Sequence, residues 1–134
     1  MFDRWARLRQ PVIAMLNGIA FGGGLELAAT ADYRIAEAHV RVGLPETQVG
    51  IVPGWSGTQR LVRRAGSPAV KRLALTGEAV DAAEALRLGL VDEVVVTGDG
   101  MERARTLATT MAQRAPVALQ TAGHLSRFCA VRRL

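Results

Sequence analysis

Ala20-Phe21-Gly22-Gly23-Gly24-Leu25-Glu26-Leu27-Ala28 is the stretch that decides the fold. Three consecutive glycines form a backbone that turns sharply and admits a ligand closely, because no Cβ stands in the way. Leu25 to Ala31, rich in leucine and alanine, predicts a helix beginning at the glycines. The start of a helix presents backbone N–H groups without intrahelical partners and carries the positive end of the helix dipole. Such a position can hold a developing oxyanion, an effect of about 3 kcal/mol per donor. Glu26, in the first turn, sets a carboxylate beside it. Taken alone, the same residues read equally well as a tight turn followed by a dipole-compensating glutamate.

Upstream, Pro11 precedes a short apolar run, Val12-Ile13-Ala14-Met15-Leu16, closed by Asn17-Gly18, which predicts a buried strand. Before it, Phe2, Trp5 and Leu8 recur every three residues with arginines between them, as at the end of an amphipathic helix. Downstream, Tyr33-Arg34-Ile35-Ala36 and His39-Val40-Arg41-Val42 alternate polar and apolar positions as short strands do. Pro45 to Gly57 is crowded with turn formers and predicts a structured loop. Three short helices follow. Ser56 with Gln59 reads as a capping box ending at Gly66, Ser67 with Pro68 opens the next helix, which ends at Gly77, and Asp81 with Glu84 is a second capping box ending at Gly89. Val91 and Val94-Val95-Val96 return to extended structure, and 102–113 and 116–124 predict helices.

The chain has 134 residues, 49% of them apolar and 22% charged, which fits a single globular domain or part of one. It carries 17 basic and 12 acidic residues, with Lys71 the only lysine. Arginine suits phosphate, yet the charge is dispersed and no basic run is interleaved with aromatics, so nucleic acid is not an expected partner. Cys129 is a lone cysteine, and with His39 and His124 it makes no metal-ligand spacing. A reducing, cytoplasmic setting is expected. No run approaches the roughly 18 apolar residues of a membrane span. Serine nucleophiles are poorly supplied, since Gly54-Trp55-Ser56-Gly57 falls one residue short of a nucleophile elbow. Glu46, just after Pro45, is the second carboxylate of interest, although a surface glutamate reads the same way. A pair of carboxylates beside an oxyanion hole permits general acid and base work.

Together these segments resemble the crotonase (enoyl-CoA hydratase/isomerase) family. Pro11 to Gly18 looks like the family's strand leading to the active site, and Ala20 to Ala28 looks like its oxyanion turn and helix. Asp32 to Ala36, Gly43-Leu44-Pro45-Glu46, Gly50 to Leu61, Leu75 to Gly77 and Ala82 to Val91 continue the match in unbroken order over residues 11–96.

The resemblance implies an α/β fold, a partial crotonase-like ββα spiral holding the catalytic half, followed by C-terminal helices. Residues 1–134 would form one partial domain, with an atypical tail at 121–134. It makes Gly23 an oxyanion-hole N–H donor and Glu26 and Glu46 the catalytic pair, with Gly22, Gly24, Pro45, Gly54 and Trp55 in substrate binding. Trp55, bulky where many relatives carry a small residue, would narrow the acyl pocket. The substrate implied is an acyl-CoA thioester, hydrated at a 2-enoyl double bond, with isomerisation or another acyl-CoA reaction of the family as the alternative. No separate cofactor is implied, since coenzyme A belongs to the substrate. Family members assemble as trimers or pairs of trimers. They are also longer, and the second oxyanion donor comes from a segment upstream of Pro11, so an inactive, truncated chain with only an assembly role is a further expectation.

Overall fold

The computed structural model describes residues 2–54 and 57–129. In chain order the elements are α1 (Phe2–Ala6), β1 (Ile13–Leu16), β2 (Ala20–Phe21), α2 (Gly23–Ala28), β3 (Tyr33–Glu37), β4 (Arg41–Gly43) and a 3-10 turn (Pro45–Val49). They continue as α3 (Gly57–Thr76), β5 (Ala79–Asp81), α4 (Ala82–Arg87), β6 (Glu93–Val95), α5 (Gly100–Ala112) and α6 (Pro116–Cys129).

Two successive units share one plan: a strand, a second shorter strand, then a helix. The first strand of each unit joins one sheet and the second strand joins another. Thus β1 pairs in parallel with β3, Ile13 facing Tyr33 and Leu16 facing Ala36, while β2 pairs in parallel with β4, Ala20 facing Val42. The first sheet ends on β6, parallel to β3, and the second on β5, antiparallel to β4. This is the expected ββα spiral. The core lies between the sheets and helices and is built from Leu16, Leu25, Val42, Leu44, Leu61, Leu73 and Leu90.

The alternation expected along Tyr33–Ala36 does not translate into one wet face. Arg34, Ile35, Ala36 and Glu37 are all buried, because β3 is the central strand and is covered on both sides. Arg34 is 0% exposed and is reconciled with burial by Asp92, whose carboxylate accepts both its backbone N–H (2.8 Å) and a guanidinium N–H. A second guanidinium N–H goes to the Ala31 carbonyl. Burial, and next the nearby Arg64 cation, push the Arg34 guanidinium down to about 10.

Several boundaries shift for physical reasons. The helix expected over Leu25–Ala31 stops at Ala28, where the Thr30 hydroxyl turns back to the Leu27 carbonyl. Gly66, at φ 80°, breaks α3 before Ser67-Pro68, as expected, and Gly77 and Gly89 end helices with positive φ. The Asp81 carboxylate caps α4 by accepting the Glu84 N–H, but Glu84 turns its own carboxylate to Arg72 and Arg87 rather than completing a box. The Ser56 capping residue lies outside the described residues. Strands β2 and β5, two and three residues long, were too short to announce themselves. The helix expected over 116–124 continues through Cys129.

Candidate active site

Gly22 is the hinge of the site. It sits at φ 50°, ψ −121°, a backbone that an L side chain rarely adopts. Its N–H donates to the Gly43 carbonyl on β4 (3.0 Å), and its carbonyl accepts the Glu26 N–H (2.9 Å). The chain therefore leaves β2, turns at Gly22 and enters α2 at Gly23 with the turn anchored on the next unit of the spiral. A Cβ at Gly22 would stand 2.5 Å from Glu46 Oε1. Glu46 can lie there only because the residue is glycine.

The two glutamates reach this point from different elements. Glu46 follows Pro45 in the 3-10 turn, is 8% exposed, and has a buried Oε2 with no hydrogen-bond partner among the described residues. A buried carboxylate oxygen left without a donor is costly and asks for an occupant. Glu26, on α2, is 0% exposed. Its Oε1 accepts the N–H groups of Gly57 (3.0 Å) and Thr58 (3.2 Å) and lies 3.4 Å from the Thr58 hydroxyl. Glu26 thus takes the role at the start of α3 that a local capping residue would otherwise fill, and its rotamer is fixed by that contact. Gly57 makes room for it, since a Cβ there would come within 2.2 Å of the Glu26 Cβ.

Of the residues singled out from the sequence, Gly22, Gly23, Gly24, Glu26, Pro45 and Glu46 come together around the α2 start and the 3-10 turn. Gly54 is exposed, and among the described residues only the Val52 carbonyl comes within 4 Å of a Cβ placed there. Trp55 lies outside the described residues. Gly57 and Thr58 are the site residues that sequence reading missed. Their partner is 31 and 32 positions away, so no local pattern points to them. An apolar cavity of ≈ 360 Å³ borders the site, lined by Leu16, Ile19, Ala20, Gly24 and Leu27 among others, with neither glutamate in its wall. His39 ties two loops together through Thr97 and the Asn17 carbonyl. Among the described residues no helix is long and apolar enough to cross a membrane.

Comparison with known proteins gives a consistent picture. A family profile described as enoyl-CoA hydratase/isomerase matches residues 1–127. The chain is 45% identical over 120 residues to a short-chain-enoyl-CoA hydratase of Clostridium acetobutylicum, covering 90% of this chain and 46% of that protein. It is 44% identical over 121 residues to a 2,3-dehydroadipyl-CoA hydratase of Escherichia coli, covering 88% and 48%. Among solved structures, Pseudomonas aeruginosa DspI superposes with a TM-score of 0.93 at 42% identity, covering 98% of this chain and 50% of DspI. An enoyl-CoA hydratase from Bacillus anthracis gives 0.89 at 42%, covering 92% and 48%. The chain spans about half the length of the curated relatives it matches.

Proposed function

Since this chain belongs to the crotonase (enoyl-CoA hydratase/isomerase) family, we propose that it carries the catalytic half of an enoyl-CoA hydratase, with Glu26 and Glu46 as its acid and base. The observation that carries the reading is the buried Oε2 of Glu46, left without a donor next to Gly22, one helical turn from Glu26. A water held there would satisfy that oxygen and stand beside a carboxylate already fixed by α3. The hydratase names of the relatives point the same way.

In the proposed reaction the thioester oxygen of a 2-enoyl-CoA accepts the Gly23 N–H, at the positive end of α2. Negative charge gathers on that oxygen as an enolate. Glu26 and Glu46 hold and deprotonate the water that adds at C3, and Glu46 returns a proton at C2, so water adds syn. The thioester is the electron sink, and the chemistry calls for no metal or redox cofactor. Gly22 and Gly24 let the acyl group approach the backbone, Pro45 orients Glu46, and Gly54 and Trp55 belong to the loop that would flank the acyl chain. A second donor to the thioester oxygen would come from the upstream part of the family's fold. A cytoplasmic homo-oligomer, trimeric or hexameric, is the assembly proposed for the complete protein.

The test is to follow the conjugated thioester absorbance of a short 2-enoyl-CoA with this chain alone and with the chain fused behind the upstream half of the Clostridium acetobutylicum hydratase. Loss of absorbance in the fusion is the expected result. A fusion that instead forms the conjugated thioester from a 3-enoyl-CoA, and hydrates nothing, establishes the isomerase reading. A folded fusion inert to both substrates leaves the chain an assembly role only.

A further inference from the structure

A second cleft, of ≈ 680 Å³, lies on the side of α2 where the chain enters β3, and its chemistry differs from that of the glutamate site. Its wall holds Arg7 and Arg9 from the turn that follows α1 and Arg60, Arg63 and Arg64 from α3, together with Asp32. Positions 60, 63 and 64 are one turn apart on a helix and share a face, so the sequence Arg60-Leu61-Val62-Arg63-Arg64 places three guanidinium groups toward one space. Arg7 and Arg9 approach the same space from a different element.

Part of the positive charge in this cleft is engaged by the protein, since Arg60, Arg64 and Asp32 all have partners of their own, and the rest is carried by Arg7, Arg9 and Arg63. Arg64 donates to the Ala31 carbonyl at 3.0 Å and stands 3.9 Å from Asp92, a carboxylate already engaged by Arg34. One Asp32 oxygen accepts the Val12 N–H. Among the described residues, the guanidinium groups of Arg7, Arg9 and Arg63 meet neither a hydrogen-bond acceptor nor a carboxylate. The wall residues Met111, Leu119 and Gln120 of α5 and α6 lie in a stretch without acidic side chains, since the last acid in the sequence is Glu102 in the first turn of α5. The lowering of the Arg34 guanidinium by Arg64 is a further mark of crowded positive charge in this region.

We propose that this cleft is a binding site for a small, multiply charged phosphate compound, a diphosphate in chemical class, distinct from the glutamate site and independent of the hydratase reading. Planar guanidinium forks bind phosphate oxygens in pairs, and several of them around a half-enclosed cleft match a polyanion better than a single carboxylate. The low-dielectric wall and the shared sign of the arginines concentrate such an anion.

Isothermal titration calorimetry of the chain with inorganic pyrophosphate and with ADP, each at fixed ionic strength, tests this. Saturable binding of one probe molecule per chain is expected. Tighter binding of ADP identifies a nucleotide-borne diphosphate, and tighter binding of pyrophosphate a free one. Arg63→Gln, and separately the Arg7→Gln/Arg9→Gln pair, should each raise Kd by about tenfold or more, the size of a lost charge-assisted contact. Both changes are at exposed side chains on different elements, and a circular dichroism spectrum matching the parent identifies a folded variant. Absence of saturable binding for both probes overturns the proposal, as does unchanged affinity in folded variants of both kinds.

Discussion

Gly57 shows how much of this site rests on what a residue lacks. Its N–H and that of Thr58 hold Glu26, and the Glu26 Cβ and Cγ fill the place a side chain at 57 would take. Gly57→Ala must therefore displace either Glu26 or the start of α3. We expect a loss of about 1–3 kcal/mol, the usual cost of overpacking, read from the urea midpoint. An unchanged midpoint would mean that the contact is loose. Gly22 carries the same logic toward Glu46, with positive φ as an added demand. At this scale the sequence was half legible. The glycine run, Glu26 and Glu46 stood out because short motifs carry them. Gly57 and Thr58 did not, because a glycine's purpose is set by the side chain that comes to rest on it, here one from another element.

At the scale of elements, the start of α4 shows local signals and tertiary contacts dividing the work. Asp81 caps the helix as its sequence position foretells, while Glu84 joins an ion-pair cluster with Arg72 of α3 and Arg87. Hydrogen bonds from Arg87 first, then from Arg72, hold the Glu84 carboxyl down at about 2, against an ordinary 4.5. Because the folded pKa is depressed, the cluster's contribution is complete above pH 4.5 and fades as pH falls toward 2. Unfolding followed over that window should show a shallower loss of stability in Glu84→Gln than in the parent. Parallel curves would show that the cluster, exposed as it is, contributes nothing measurable. Arg103 holds the Glu93 carboxyl low in the same direction and joins β6 to α5. Helix boundaries marked by Gly66, Gly77 and Gly89 were readable, since a positive φ selects glycine. The pairing of β2 and β5 was not, since two or three residues hold too little pattern and their partners are set by the turn of the spiral.

The whole molecule is a stack in which each ββα unit is completed by the next. Gly22 is anchored on Gly43, Glu26 on Gly57, and buried Arg34 on Asp92, so residues of one unit are held by contacts from later ones. That interdependence explains why the family was legible from the order of motifs along 11–96, while the distances between them became visible only in the folded chain. Glu46 lies against Gly22 and the Glu26 N–H bonds the Gly22 carbonyl, the arrangement on which the proposed hydratase reading rests. The most direct test of that reading is the rate of 2-enoyl-CoA hydration by the fusion behind the upstream half of the Clostridium acetobutylicum hydratase, compared with the same protein carrying Glu26→Gln or Glu46→Gln. Each change is predicted to lower kcat by about 10²-fold or more, the range of lost acid–base catalysis, with the circular dichroism spectrum preserved. Full hydration by either folded variant would contradict the assignment of the pair.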